Sequence, residues 1–261
     1  RCDGINFRRF ESTDFISPAR QILFAYSAFE LNDTCLIFLD QNQALTYDNY
    51  NTGKFHSLFT SDSVYIRAIT PRYNQPGFIA VTGNTIRYFN KDGRAEQTVS
   101  LTKEDDGSPF SDRFALAVED KEQNLWLPTS GDNLYIYSKE SGKLKRIPHY
   151  TFNRINEIAV SPDGSRIFVT SYSGGLLIYN AETTQFLKSI SPISRLKKSS
   201  MPIPTAVYPE DDTYLWLGTL SGLFRINLKT GAYLEYINYP GNSSSLKENN
   251  ITHIYGGAGN N

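Results

Sequence analysis

The residues best suited to acid–base or metal chemistry are scattered along the sequence. The histidines are His56, His149 and His253, and the cysteines are Cys2 and Cys35. A zinc site needs His or Cys ligands that come together in space, usually from closely spaced pairs. The sequence offers no such spacing, so it predicts no metal site. We interpret the three histidines as surface or packing residues.

Two acidic pairs suggest acid–base catalysis or calcium binding at first sight. They are Asp105-Asp106 and Asp211-Asp212. Asp211-Asp212 precedes an apolar run, where aspartate in a turn commonly accepts hydrogen bonds from the backbone. The ligand spacing of an EF-hand calcium loop is absent. We therefore interpret both pairs as turn or loop residues.

The sequence also lacks the motifs of common enzyme chemistries. It contains no Gly-x-Ser-x-Gly nucleophile elbow, no phosphate-binding Gly-x-x-x-x-Gly-Lys-Ser/Thr loop and no His-Glu-x-x-His zinc pair. The prediction is therefore a chain with no catalytic residues and no cofactor.

Composition restricts the class of protein further. The 261 residues carry a formal net charge of −1, which gives no reason to expect nucleic acid or an anionic membrane as a partner. The aromatic fraction of 13% and the single Met favour β-structure over helix. No apolar stretch approaches the length that spans a bilayer. The first residue is Arg1, so we expect targeting and anchoring segments, and any membrane contact, to lie outside this sequence.

A repeat of short apolar runs predicts the strands that would position any functional site. Its clearest copies are Leu125 to Thr129, Ile167 to Ser171 and Leu215 to Thr219, each after an acidic turn and before a second apolar run. Weaker copies precede them, and the equivalent positions are 37, 79, 126, 168 and 216. Four short strands in a period near 45 residues are typical of a propeller blade. The sequence therefore predicts an all-β fold, a β-propeller, with Trp126 and Trp216 buried between blades.

The predicted domain organisation follows from this repeat. An N-terminal segment, residues 1–20, leads into five blades at 21–59, 64–101, 114–150, 156–190 and 205–239. We expect residues 250–255 to be the first strand of a sixth blade and to pair with residues 6–10, because an unpaired edge invites aggregation. Cys35 lies in a run that predicts a buried strand. The sequence does not decide whether Cys2 and Cys35 form a disulfide, because two cysteines do not define a disulfide framework.

The last full repeat resembles a known family. It combines Leu215-Trp216-Leu217-Gly218-Thr219 with Lys229-Thr230-Gly231 and a Ser-Leu-x-x-Asn-x-Ile sequence at 245–251. This is similar to the two-component regulator propeller repeat. The resemblance is specific in blades three and five, whereas blades one and two lack both the Trp and the Gly-Thr. Blade four, with Ser161-Pro162-Asp163-Gly164, is closer to other bacterial propellers, including lactonase-like ones.

The resemblance implies a location and a function. Such repeats form the periplasmic sensor part of hybrid two-component histidine kinases, many of which respond to breakdown products of complex polysaccharides. It implies an oligosaccharide ligand, with the remaining receptor domains and a second copy of the receptor as partners. The phosphoacceptor His motif and the ATP-binding box of the kinase are absent from this sequence. The resemblance therefore implies a non-catalytic part of a receptor.

Chain direction indicates where a ligand would bind. The fourth-to-first and second-to-third strand connections of all blades lie at one end, and they carry Arg113, Tyr150, Arg154, Tyr172 and Arg195. Tyrosine rings can stack on sugars, and arginine forks suit carboxylate or sulfate groups. The alternative interpretation is that these five are ordinary loop residues that bind no ligand. Two other functions stay open: a propeller enzyme, either a lactonase-like hydrolase or a lyase, and a scaffold propeller without a small ligand.

Overall fold

A computed structural model describes the chain over residues 25–32, 35–40, 45–49, 54–57, 65–148, 154–173, 175–196 and 202–256. It divides into two compact units, residues 1–101 and 102–261. The predicted N-terminal segment, with its expected pairing to residues 250–255, and Cys2 lie outside the described residues. Within them, no helix is long and apolar enough to cross a membrane.

Unit 1 contains two four-stranded antiparallel blades. Their strands, in chain order and adjacent in each sheet, are β1 (Ala25–Asn32), β2 (Cys35–Asp40), β3 (Leu45–Asn49) and β4 (Lys54–Ser57), then β5 (Ala68–Pro71), β6 (Phe78–Thr82), β7 (Thr85–Phe89) and β8 (Ala95–Ser100). Ile37 and Ile79, at the predicted repeat positions, are fully buried, and Cys35 is also buried. The rings of Phe78 and Phe89 stack at 4.5 Å in the core of this unit.

Unit 2 contains three blades of the same kind. Their strands are β9 (Val118–Glu119), β10 (Leu125–Pro128), β11 (Leu134–Tyr137) and β12 (Leu144–Ile147); β13 (Ile155–Val160), β14 (Arg166–Ser171), β15 (Gly175–Asn180) and β16 (Phe186–Ile190); β17 (Pro204–Pro209), β18 (Tyr214–Thr219), β19 (Gly222–Asn227) and β20 (Tyr233–Tyr236). The all-β prediction, with five four-stranded propeller blades, is confirmed.

The second strand of each blade is apolar because both of its faces are covered. In β10 all four residues are buried, and in β14 all but Arg166 are buried. Trp126 of blade three packs with residues of blade four, including Tyr179 at a ring distance of 6.0 Å. Phe168 of blade four packs in the same way against Leu217 and Phe224 of blade five. We call the side of each blade that faces the following blade its outgoing face.

Trp216 is less buried than Trp126, although both were predicted to lie between blades. It occupies the outgoing face of blade five and is only partly buried, whereas Trp126 and Phe168 have no exposed surface. The reason is that burial of this position comes from the following blade, and the described residues contain no blade after β20. The repeat alignment therefore holds at Trp216, with less burial than at the equivalent positions of blades three and four.

Residues 250–256 also differ from the prediction, because they form no strand. Their backbone runs alongside blade five, where the Ile251 N–H donates a hydrogen bond of 3.0 Å to the Thr219 carbonyl. A strand ladder needs repeated pairing with a neighbouring sheet strand, and among the described residues this segment makes only the first bond of such a series.

The acidic pairs lie in turns, as interpreted from the sequence. Asp211 Oδ1 accepts hydrogen bonds of 2.6 Å from the backbone N–H groups of Thr213 and Tyr214. Asp106 Oδ1 accepts one of 2.8 Å from the Ser108 N–H. These bonds fix the local direction of the chain in the two turns.

Candidate functional site

The predicted ligand-binding residues that the structure describes are Arg113, Arg154, Tyr172 and Arg195. They belong to unit 2, at the end of the blades where first strands begin and second strands finish. We call this end the loop face. Among the described residues it comprises the connections and turns at 112–117, 130–133, 172–173, 191–196, 202–203, 220–221 and 237–250, together with residue 154. Because every blade has the same strand order, equivalent positions of neighbouring blades come to this end together.

Arg113 and Arg154 occupy equivalent positions in blades three and four. The Arg113 carbonyl accepts a hydrogen bond of 2.8 Å from Ser130 N–H, and the Arg154 carbonyl accepts one of 3.0 Å from Tyr172 N–H. Each bond links a residue that precedes the first strand of its blade to the turn between the second and third strands. Both arginine residues are exposed. The repeat thus presents two guanidinium groups at corresponding places on adjacent blades.

Tyr172 lies beside Arg154 in blade four. The hydrogen bond from its N–H to Arg154 fixes this neighbour relationship, and its side chain is 50% exposed. Arg154 has a φ of 58°, an uncommon backbone conformation for a residue other than glycine. Positive φ at a non-glycine residue is often found where a side chain must be held in a particular direction. Blade four therefore offers an arginine and an exposed aromatic ring together.

Arg195 does not join this group. Its backbone N–H donates to both carboxylate oxygens of Glu235, and its Nε lies 3.6 Å from Glu235 Oε2. Glu235 belongs to β20, the fourth strand of blade five, whereas Arg154 precedes the first strand of blade four. The long connection after β16 thus follows the fourth strand of the next blade and holds Arg195 beside that strand. Tyr150 lies outside the described residues.

An acidic network that sequence reasoning missed organises the loop face of blade three. Asp112 accepts hydrogen bonds from the Thr129 hydroxyl, from Asn133 Nδ2 at 3.1 Å and from the Gly131 N–H at 3.2 Å. Partial burial favours a raised pKa for Asp112, but these hydrogen bonds and one from Arg113 N–H outweigh it and lower the pKa. Asp112 therefore stays ionised and locks the turn beside Arg113. No specific signal in the sequence revealed this network, because an aspartate directly before an arginine in a loop is a common pattern.

Glu157 is the second acidic residue that the sequence did not single out. It pairs with Thr170 across β13 and β14, on the same face of blade four as Phe168, which packs against blade five. Burial raises the pKa of Glu157 to about 7, and a hydrogen bond from the Ile158 N–H opposes this only in part. A glutamate in a mostly apolar strand was the available signal. It places a carboxyl group that titrates near neutrality three residues after Arg154.

The described parts of the chain contain no set of side chains that could bind a metal ion. Within those ranges, no group of three or more His, Cys, Asp or Glu side chains is arranged to hold an ion. His253 is exposed, while His149 and the side chain of His56 lie outside the described residues. The chemistry that the loop face does offer is hydrogen bonding and charge pairing by arginine, with stacking by tyrosine.

Comparison with known proteins identifies the fold. No protein-family model matches the sequence, and no curated protein matches it. The chain is similar to the crystal structure of the extracellular domain of a protein assigned as a hybrid two-component system, from B. thetaiotaomicron, with a TM-score of 0.67 and 17% identity over 88% of this chain. The chain spans 30% of the length of that protein chain. This likeness agrees with the propeller architecture described above.

Proposed function

We propose that this chain is an extracytoplasmic sensor module of a hybrid two-component receptor, and that it binds oligosaccharides derived from polysaccharides. Three observations support the proposal. The repeat in blade five resembles the propeller repeat of such receptors, the fold is a β-propeller, and the chain is structurally similar to an extracellular domain of that class over 88% of its length. Under this proposal the chain acts by binding, in the periplasm, and the kinase chemistry belongs to other parts of the receptor.

The observation that carries the ligand assignment is the pairing of Arg113 and Arg154 on adjacent blades, with Tyr172 beside Arg154. Among the described residues, neither the Arg113 nor the Arg154 guanidinium forms an ion pair with a carboxylate, so both are available to an external anion. A planar guanidinium binds a carboxylate or sulfate through two parallel hydrogen bonds. A half-exposed tyrosine ring offers an apolar face against which a sugar ring can lie. This combination favours an acidic oligosaccharide over a neutral one.

The remaining receptor domains and a second copy of the receptor are the partners that this function requires. A sensor transmits binding only if the ligand favours one arrangement of the receptor over another. Blades that contact each other through continuous apolar cores, as blades three to five do, move as a unit. Ligand binding at the loop face would therefore be passed on through rigid blades to neighbouring domains.

Titration calorimetry of the whole chain with neutral and acidic oligosaccharides tests the proposal. We expect binding of acidic sugars that weakens as salt is raised, because charge pairing at an exposed site is screened. Tyr172→Ala and Arg154→Ala should each weaken it roughly tenfold, a change of about 1.4 kcal/mol. Tyr172→Phe should bind nearly as well, since the ring is kept. Lys121→Ala, at the opposite end of blade three, serves as the matched control.

Two results would contradict this function. The first is absence of binding by every sugar tested, which would favour a scaffold role without a small ligand. The second is turnover of a lactone or uronate substrate by the purified chain with divalent metal present, which would favour a propeller enzyme.

A further inference from the structure

The same backbone hydrogen bond recurs at the loop face of all three blades of unit 2. In blades three and four it reaches the carbonyls of Arg113 and Arg154, from the turns described above. In blade five the Leu220 N–H donates it to the Ile203 carbonyl, at 3.1 Å. Each blade therefore presents two equivalent positions at this end, one before its first strand and one in the turn between its second and third strands.

The side chains at these two positions become less polar from blade three to blade five. The pairs, in chain order, are Arg113 and Ser130, Arg154 and Tyr172, and Ile203 and Leu220. Blade five thus carries neither a charge nor a hydrogen-bonding side chain at either position. Because blades three, four and five pack side by side, a ligand that lies across them would meet guanidinium groups at one end and aliphatic groups at the other.

The turn that carries Leu220 reverses the usual placement of polar and apolar residues. Leu220 is 45% exposed, whereas its neighbour Ser221 is buried. Turns ordinarily favour glycine, asparagine, aspartate or serine at their exposed positions, because these residues bond to the local backbone or tolerate its dihedral angles. A leucine in contact with water adds nothing to the stability of such a turn. Folding alone therefore does not account for a leucine at this position.

The same turn is held in one conformation by a buried hydroxyl. Thr219 has no exposed surface, and its hydroxyl accepts a hydrogen bond of 3.0 Å from the Ser221 N–H and donates one of 2.8 Å to the Gly222 carbonyl. Gly222 has a φ of 137°, which suits glycine. Leu220 is thus presented on a preformed turn beside the partly buried Ile203, so ligand binding there would cost little ordering of the backbone.

We propose that Ile203 and Leu220 form an apolar subsite of the loop face, which binds an ester-linked acyl group, such as acetyl, on an acidic oligosaccharide. This subsite rests on the proposed function, because it is a further part of the same ligand-binding surface. A branched aliphatic side chain has no flat face for a sugar ring, unlike Tyr172, but it fits a methyl group. The acidic groups of the ligand then pair with Arg113 and Arg154, and its acyl group excludes water from Leu220.

Titration calorimetry of the whole chain tests the subsite with an acetylated acidic oligosaccharide and with the same sample after mild alkaline removal of its acetyl groups. We expect the acetylated sample to bind about fourfold more tightly, the gain from removing one methyl group from water. Leu220→Ser should abolish this preference and leave the affinity for the de-esterified sample unchanged. Leu220→Val keeps a branched aliphatic group and should retain most of the preference. Leu187→Ser is the matched control, because Leu187 is 51% exposed in β16, away from the loop face.

The outcomes separate this subsite from the function on which it rests. Equal affinity of the unsubstituted chain for the two samples would overturn the apolar subsite, while sugar binding at the loop face would stand. A Leu220→Ser protein with unchanged Tm that loses affinity for both samples equally would overturn it too, because its effect would not concern the acyl group. Failure of both samples to bind the unsubstituted chain would contradict the proposed function itself, and the subsite with it.

Discussion

The indole N–H of Trp126 donates a hydrogen bond of 3.0 Å to Asp120 Oδ2, and both residues are buried in blade three. Asp120 precedes Trp126 by six residues, and Glu210 stands at the same separation before Trp216 in blade five. Glu210, however, is exposed and accepts from Arg225. The same sequence pattern thus produces a buried tryptophan in one blade and a partly exposed one in another.

The two tryptophans should therefore contribute differently to stability. Trp126→Ala should reduce the free energy of unfolding by about 3–5 kcal/mol, the usual loss for a buried aromatic residue. Trp216→Ala should cost roughly 1–2 kcal/mol, because less apolar surface is buried there. Urea denaturation followed by circular dichroism measures both. Equal losses for the two variants would show that Trp216 is as buried as Trp126.

Glu157 should make the free energy of unfolding fall as pH rises from about 4.5 to about 7. Its pKa is raised from 4.5 to about 7 in the folded chain, so the folded state holds more protons than the unfolded state between these values. Stability is then lost progressively from about pH 4.5 to pH 7. Glu157→Gln removes this dependence, and it should stabilise the chain at pH 8 by on the order of 2 kcal/mol while changing little at pH 4.5.

The control for Glu157 is Glu182→Gln, because Glu182 is exposed in the turn after β15. Thermal melts of the three proteins at pH 4.5, 6 and 8 make the comparison. A difference between Glu157→Gln and the unsubstituted chain that stays constant across this range would contradict the raised pKa.

Asp163 should have the opposite effect on stability: its contribution is lost as pH falls into the acid range. Hydrogen bonds from Ser161 and Ser165 outweigh the effect of burial and lower the pKa of Asp163 from 3.8 to about 2. Its contribution is therefore present above pH 3.8 and is lost as pH falls toward 2. Asp163→Asn should lower the Tm at pH 7 and have little effect near pH 2. A loss of the same size at both values would mean that the charge is not involved.

Gly218 should be sensitive to any side chain, because Ile251 lies over it. Gly218→Ala should destabilise the chain and increase hydrogen exchange in residues 250–256, since the added methyl group would collide with Ile251. Ile251→Ala removes Cγ2, the atom that the added methyl group would approach most closely, so the double variant should lose less stability than the sum of the two single variants. A strictly additive result would show that the two positions do not touch.

The sequence predicted the blades well because their strands are set by local patterns. Runs such as Leu125 to Pro128 are apolar at every position, and this pattern fits only a strand covered on both faces. The environment of Trp216 was not predictable in the same way. Its burial depends on which sheet lies beyond it, and this is a property of tertiary packing rather than of the residues around it.

The candidate site was predictable only where repeat position determines it. Arg113 and Arg154 could be placed at one end of the blades from strand direction alone, and the structure shows that they are equivalent. Arg195 lies in a long connection whose path is decided by its hydrogen bonds to Glu235, a residue 40 positions away. Glu157 gave only a weak signal, because the burial that raises its pKa is a result of tertiary packing and is not visible in the sequence.

Hydrogen exchange with and without an acidic oligosaccharide mixture tests the central claim most directly, because it locates binding without assuming a residue. We expect protection of the amides at 112–116, 154–157 and 171–173 on the loop face of unit 2, and none in the turns at 121–124 and 162–165 at the opposite end of the same blades. Protection that appears elsewhere in the chain, outside the loop face, or no protection with any acidic oligosaccharide tested, would contradict the assignment of the loop face as the ligand-binding site.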